Sequence, residues 1–182
     1  ADIISKLFFG MTPALDMPQV DVLPLSMFFL DPLVGICGGC LGVLFNKTLM
    51  STQKLYKKLP VRDTFRIAIP FLFAGVFGLV LPEVLGGGHH IISHLSGVGM
   101  TVGMMLLLLV GKFVFTMICF CSGAPGGIFF PLLVLGALSG GIIGSGACAL
   151  LGLPESCMIN FLLLGMTGMF AGIVRAPITG II

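Results

Sequence analysis

The chain reads as an all-α polytopic membrane protein with tilted and broken helices, and three observations lead there. Hydrophobic residues make up 57% of its 182 positions and charged residues only 9%, against about 25% charged in a soluble domain. Mean hydropathy is +1.19. A surface so poor in charge cannot face water, so its solvent is lipid. Apolar stretches recur at lengths near the ~20 residues that a spanning helix needs. Glycine and proline interrupt them, and 27 glycines in all suit close helix packing and broken helices.

The elements follow in order. Residues 1–10 read as the end of a helix closed by Gly10, and the prolines at 13, 18 and 24 make 11–26 a loop. Together 1–30 are a helix end and an external loop, and 31–182 carry the helices, all within one transmembrane unit. Residues 28–55 form a long helix that leaves the membrane near Asn46-Lys47. Residues 62–81 form another, with Pro70 as a tolerated kink. Gly86-Gly87-Gly88 breaks the chain before a short segment, His89 to Ser96. Residues 99–120 form a strongly apolar helix, 122–127 a break, 128 to about 150 a helix, 153–156 a polar loop, and 157–174 a helix closed by Arg175-Ala176-Pro177. No cleavable leader is recognisable. The sequence starts without methionine and stops at Ile181-Ile182 without a polar tail, as expected of a segment from a longer protein.

Charge sets the orientation. Lys47, Lys54, Lys57, Lys58, Arg62 and Arg66 share one stretch with a single acid, Asp63, whereas Asp16, Asp21 and Asp31 precede it. Basic loops stay inside, so 50–62 is expected to be cytoplasmic and 11–27 external; a phospholipid-binding patch would have the same sidedness. A net charge of +2 implies no nucleic-acid partner.

Several residues invite a chemical role. Cys37 and Cys40 form a CxxC, but within Gly35-Ile36-Cys37-Gly38-Gly39-Cys40-Leu41-Gly42 a seam of small residues between helices explains them better than a metal or redox pair. Cys119, Cys121, Cys148 and Cys157 read as apolar packing residues. His89, His90 and His94 include an i, i+4 pair, yet no carboxylate or thiol is near enough in sequence to complete a metal set. Glu83 is read as interfacial and Asp31 as a helix-start acid. Lys112 is an intramembrane charge. It either raises the potential near an anion, or pairs with a carboxylate or backbone carbonyls, or snorkels to the interface; the structural roles are favoured. The acids fall near loops and no histidine sits within a long helix, which speaks against an intramembrane enzyme. No cofactor and no metal are expected.

The informative feature is the break Ser122-Gly123-Ala124-Pro125-Gly126-Gly127. It lies between apolar stretches, where irregular backbone is tolerated only if buried or facing a wet cavity. The helix that follows starts within the membrane, and its first amides carry about half a positive charge. Such a start can bind an anion through backbone alone, and Gly126 and Gly127 keep the approach clear of Cβ atoms. Partial charges hold an anion without trapping it. A plain helix break accounts for the same residues equally well.

The run from Ser122 through Ile128-Phe129-Phe130-Pro131 resembles the GxFxP signature of the CLC chloride-channel family. The resemblance extends to Cys119-Phe120, through Leu132 to Gly144, to Arg175-Ala176-Pro177-Ile178-Thr179-Gly180, and more loosely to Phe45-Asn46-Lys47 and Gly86-Gly87-Gly88. It covers most of the chain from about residue 33. It implies the second inverted-repeat half of a CLC-type fold and selective anion transport, by a channel or a chloride/proton exchanger. The implied anion site is Gly127, Ile128, Phe129, Phe130 and Pro131, with the N–H groups of Ile128 and Phe129 on the ion and the Phe129 ring walling the pathway. Ser122, Gly123, Pro125 and Gly126 form the supporting loop. The family's other site residues, a serine, glutamates and a tyrosine, are expected outside this stretch. Chloride or a similar anion, protons, the lipid bilayer and a second copy in a homodimer are the implied partners, and the plasma membrane the implied location. An unrelated secondary transporter or an inactive structural piece are the alternatives.

Overall fold

The computed structural model describes residues 28–58, 60, 63–97, 100–123, 126–152 and 157–174. The expected helix end and loop within 1–27, the 153–156 loop and the Arg175-Ala176-Pro177 closure lie outside the described residues. Every regular element among those described is helical: α1 (Leu30–Lys58), α2 (Asp63–Arg66), α3 (Ala68–Val80), a 3-10 turn (Pro82–Val84), α4 (His89–Gly97), α5 (Val102–Cys121), α6 (Phe129–Leu151) and α7 (Met158–Val174). Among the described residues α1, α5 and α6 are long and apolar enough to cross a membrane.

Helix α1 carries Asp31 in its first turn and Lys57 and Lys58 in its last, charges that complement the helix dipole at each end. Its 29 residues extend about 44 Å at 1.5 Å per residue, longer than the ~30 Å hydrocarbon core. Leu30, Val34, Gly38, Gly42 and Phe45 form its buried stripe. The glycine seam is present, but Cys37 and Cys40 are exposed and stand outside it. Gly38 and Gly42 meet α7 instead: an added Cβ would lie 3.0 Å from the Met169 nitrogen at Gly38 and 3.4 Å from the Gly172 carbonyl carbon at Gly42.

The single helix expected over 62–81 is two. A turn at Ile67 separates α2 from α3. Pro70 has no N–H for the Arg66 carbonyl, and its ring crowds that carbonyl. The chain therefore reopens a helix with Ile67 as N-cap, and Pro70 falls in the first turn, where no donor is required. At the far end, the Leu81 N–H bonds the Phe77 carbonyl at 2.7 Å, and Pro82 starts the 3-10 turn. Gly86 and Gly88 follow with φ of 68° and 89°. A Cβ on Gly88 would also strike Val134 of α6 at 2.6 Å, so both conformation and packing require glycine there.

Helix α5 separates its faces cleanly. Val102, Leu106, Val110 and Val114 are exposed, whereas Met105, Leu108, Lys112 and Thr116 are buried. Each set repeats every three or four residues, one stripe for lipid and one for protein. The buried face packs on α6, which is the most enclosed of the long helices. Val134, Ala137 and Leu138 of α6 join Ile91, Ile92 and Leu95 of α4, Met105 and Leu108 of α5, and Leu162 and Met166 of α7 in the main core. Helix α7 bridges α6 and α1. Along α6–α7, Gly136, Gly140 and Gly144 recur at four-residue spacing; a Cβ on Gly136 would lie 2.7 Å from the Met166 Cα, and on Gly144 2.8 Å from the Phe161 Cβ. Helices in lipid associate through such close backbone contact.

Candidate functional site: an uncapped helix start beside a cavity

Helix α5 ends at Cys121. Buried Ser122 donates from Oγ to the Cys119 carbonyl at 2.7 Å, and Gly123 turns the chain at φ 86°. Pro125 lies outside the described residues. Gly126 and Gly127 are exposed, and a Cβ on either would meet no atom within 4 Å. Packing therefore does not dictate glycine here; the space in front of the loop is open.

Helix α6 starts from Ile128, with φ −94° and ψ −13°, and no side chain caps it. No acid stands in the first turn. The Leu132 N–H reaches the Ile128 carbonyl at 3.2 Å, the first turn of the helical ladder. Ahead of that bond the amides have no carbonyl one turn back, and Pro131, lacking an N–H, sits where none is needed. The start of α6 thus keeps its positive partial charge unneutralised by any side chain of its own first turn.

The sequence-expected residues divide by environment. Ile128 is partly buried against a cluster of Phe45, Met117, Leu132, Leu135 and Met169. The Phe129 ring is 47% exposed and held edge-on by Phe130 at 5.6 Å and by Phe170 of α7 at 5.2 Å between centroids, a geometry aromatic pairs favour. Phe170, 41 positions along the chain, had no local signal to reveal it.

Two cavities flank the break. One, of about 260 Å³, is lined by Gly86, Lys112, Thr116, Gly126, Gly127 and Pro131. The other, of about 630 Å³, is lined by Gln53, Tyr56, Lys57, Arg66, Ser122 and Gly123. Phe120 borders both. The second cavity brings the ends of α1, α2 and α5 together, and the Tyr56 hydroxyl ties α1 to α5 by donating to the Ile118 carbonyl at 3.1 Å. Neither cavity was legible from the spacing of any motif.

Of the possible roles for Lys112, bonding to backbone carbonyls is the one observed: Nζ donates to Val84 O at 2.8 Å and Gly86 O at 2.6 Å. His90 and His94 are exposed, and no group of potential metal ligands forms among the described residues. Glu83 is exposed and Asp31 lies in the first turn of α1, as expected for an interfacial acid and a helix-start acid.

Comparison with known proteins agrees over the full length. The family model for the voltage gated chloride channel matches residues 1–182. The H(+)/Cl(-) exchange transporter ClcA of Vibrio cholerae is 40% identical over 188 residues, covering all of this chain and 40% of that protein. The same transporter of Vibrio vulnificus is 41% identical with equal coverage, and that of Salmonella agona 33% identical over 187 residues, covering all of this chain and 39% of that protein. The chain therefore spans about two fifths of the curated relatives it matches. A fold that is helical throughout its described residues, apolar helices long enough to cross a membrane and a match from the first residue to the last together make this chain a member of the voltage gated chloride channel family.

Proposed function

We propose that this chain forms one portion of an anion-translocating membrane protein, with chloride as the transported ion and the backbone amides of Ile128 and Phe129 as its binding groups. The observation that carries this reading is the start of α6: it opens beside the cavity lined by Gly126, Gly127 and Pro131, with no capping side chain and no acid in its first turn. An anion there meets N–H groups and a helix dipole, partial charges that let it shed water and still leave. Gly126 and Gly127 keep the approach open, Phe129 walls the pathway, and Phe130 and Pro131 shape the first turn. Ser122, Gly123 and Pro125 hold the supporting loop.

The relatives are named for exchange of H+ against Cl−, which supports proton-coupled exchange over a passive channel. Family membership argues against an unrelated transporter, and the named relatives support transport rather than enzymatic turnover. The basic stretch around 50–62 supports a cytoplasmic position for the end of α1. A homodimer with one pathway per subunit, residence in the plasma membrane, and a single transmembrane unit over 1–182 representing the second inverted-repeat half complete the reading.

Equilibrium titration tests it. Chloride added to the purified full-length protein in detergent is expected to bind saturably, and gluconate, too large for a site walled by Phe129, is expected not to compete. Heat changes that are absent for chloride, or equal for chloride and gluconate, would rule out a selective site.

A further inference from the structure

Lys112 carries more charge than its observed bonds require. It lies on the protein-facing stripe of α5 and is 1% exposed. Its Nζ donates to the carbonyls of Val84 and Gly86, at the end of the 3-10 turn and in the glycine bend that follows. An ammonium has three donors, and among the described residues these two carbonyls are its acceptors; no carboxylate is among them. A neutral amide could satisfy both carbonyls at a lower desolvation cost, because charged groups are the expensive ones to bury. Intramembrane charges are accordingly a mark of function.

The position of the charge supplies that function. Lys112 lines the ~260 Å³ cavity whose other wall is Gly126, Gly127 and Pro131, the approach to the α6 start. Two sources of positive potential, the ammonium and an uncapped helix N-terminus, border one cavity, and no acid is among its lining residues. In a low-dielectric surround such potentials reach further than in water. The two carbonyls pin the ammonium and offset some of its charge, which leaves an ion beside it exchangeable.

We infer that Lys112 is an affinity-setting residue: its charge, fixed by Val84 and Gly86, strengthens the hold of the α6 N-terminal site on a small monovalent anion. The inference rests on the proposed anion site and adds a side chain to a site otherwise built from backbone. Lys112 acts through the field at the cavity and belongs among the positioning residues.

The test uses the full-length protein in liposomes, with flux measured against chloride concentration for wild type, Lys112→Arg, Lys112→Gln and Lys112→Met, and thermal melting followed in parallel. Lys112→Gln keeps donors for the two carbonyls while removing the charge. The half-saturating chloride concentration is expected to rise roughly tenfold in Lys112→Gln and Lys112→Met, to stay within about twofold in Lys112→Arg, and the maximal rate to change little. The melting temperature of Lys112→Gln should stay near that of wild type. A half-saturation in Lys112→Gln equal to that of wild type overturns the inference and leaves Lys112 a clamp for the glycine bend. Equal loss in all three variants with lowered melting also overturns it, since charge would then not be the operative property. Wild type that neither binds nor moves chloride overturns the anion site itself, and this inference with it.

Discussion

Ile128 and Gly127 divide the work at the start of α6. Gly127 leaves space that a side chain would enter, and Ile128 supplies an N–H at the N-cap without a side-chain acceptor to satisfy it. Proline at position 128 removes that N–H and asks only for a modest turn in φ from −94°; the glycine before it absorbs the restriction that proline places on its predecessor. Ile128→Pro is therefore expected to weaken chloride binding by roughly ten- to a hundredfold, the ~1.5–3 kcal/mol of a hydrogen bond to a charged group. Ile128→Val keeps the amide and should bind within about twofold of wild type, and calorimetry on the two variants decides. The helix start at this residue was legible in the sequence because a glycine-proline break between apolar runs is a local signal. The partners of Lys112 were not: Val84 and Gly86 are 28 and 26 positions away, and only the packing of α5 against the glycine bend brings them within bonding distance. The ring contact between Phe129 and Phe170 was hidden in the same way.

At the scale of elements, the extent of the apolar helices was readable from their length and their glycine and proline boundaries. The turn at Ile67 was not, because proline inside an apolar run reads equally well as a kink that lipid-embedded helices tolerate; here α2 stops after four residues. The glycine excess announced close packing, but not which helices meet. That answer lies in spacing: Gly38 and Gly42 on α1 face Gly168 and Gly172 on α7, while Gly136, Gly140 and Gly144 on α6 meet α7 one to two turns earlier, around Phe161 and Gly165. Gly140 abuts the Phe161 carbonyl oxygen and the Gly165 Cα, so Gly140→Ala must push the α6 and α7 backbones apart. Its expected cost is about 3 kcal/mol, at the upper end for overpacking. Gly146 lies on the same helix with nothing within 4 Å of an added Cβ. Gly146→Ala should be neutral or stabilising by up to about 1 kcal/mol through helix propensity. Unfolding of both variants in one detergent separates seam from surface: equal destabilisation would mean that α6 and α7 do not meet through these glycines.

Over the whole molecule, composition alone identified lipid as the solvent, because so small a charged fraction can cover no water-facing surface. The proposed sidedness is argued from the basic run at the end of α1. Modifying single cysteines placed at exposed Lys57 and at Phe28 with a membrane-impermeant reagent checks it; labelling of the position at 28 and not of that at 57 in intact cells is the expected pattern. The proposed anion site rests on how the break between α5 and α6 meets its cavities, a property of assembled helices that no single stretch of sequence carries. The most direct measurement is chloride efflux from liposomes containing the full-length protein, with external pH recorded at the same time. Chloride leaving in fixed proportion to proton uptake is the predicted result, and Ile128→Pro should reduce both together. Liposomes that retain their chloride, or efflux indifferent to the loss of the Ile128 amide, would contradict an anion site at the start of α6.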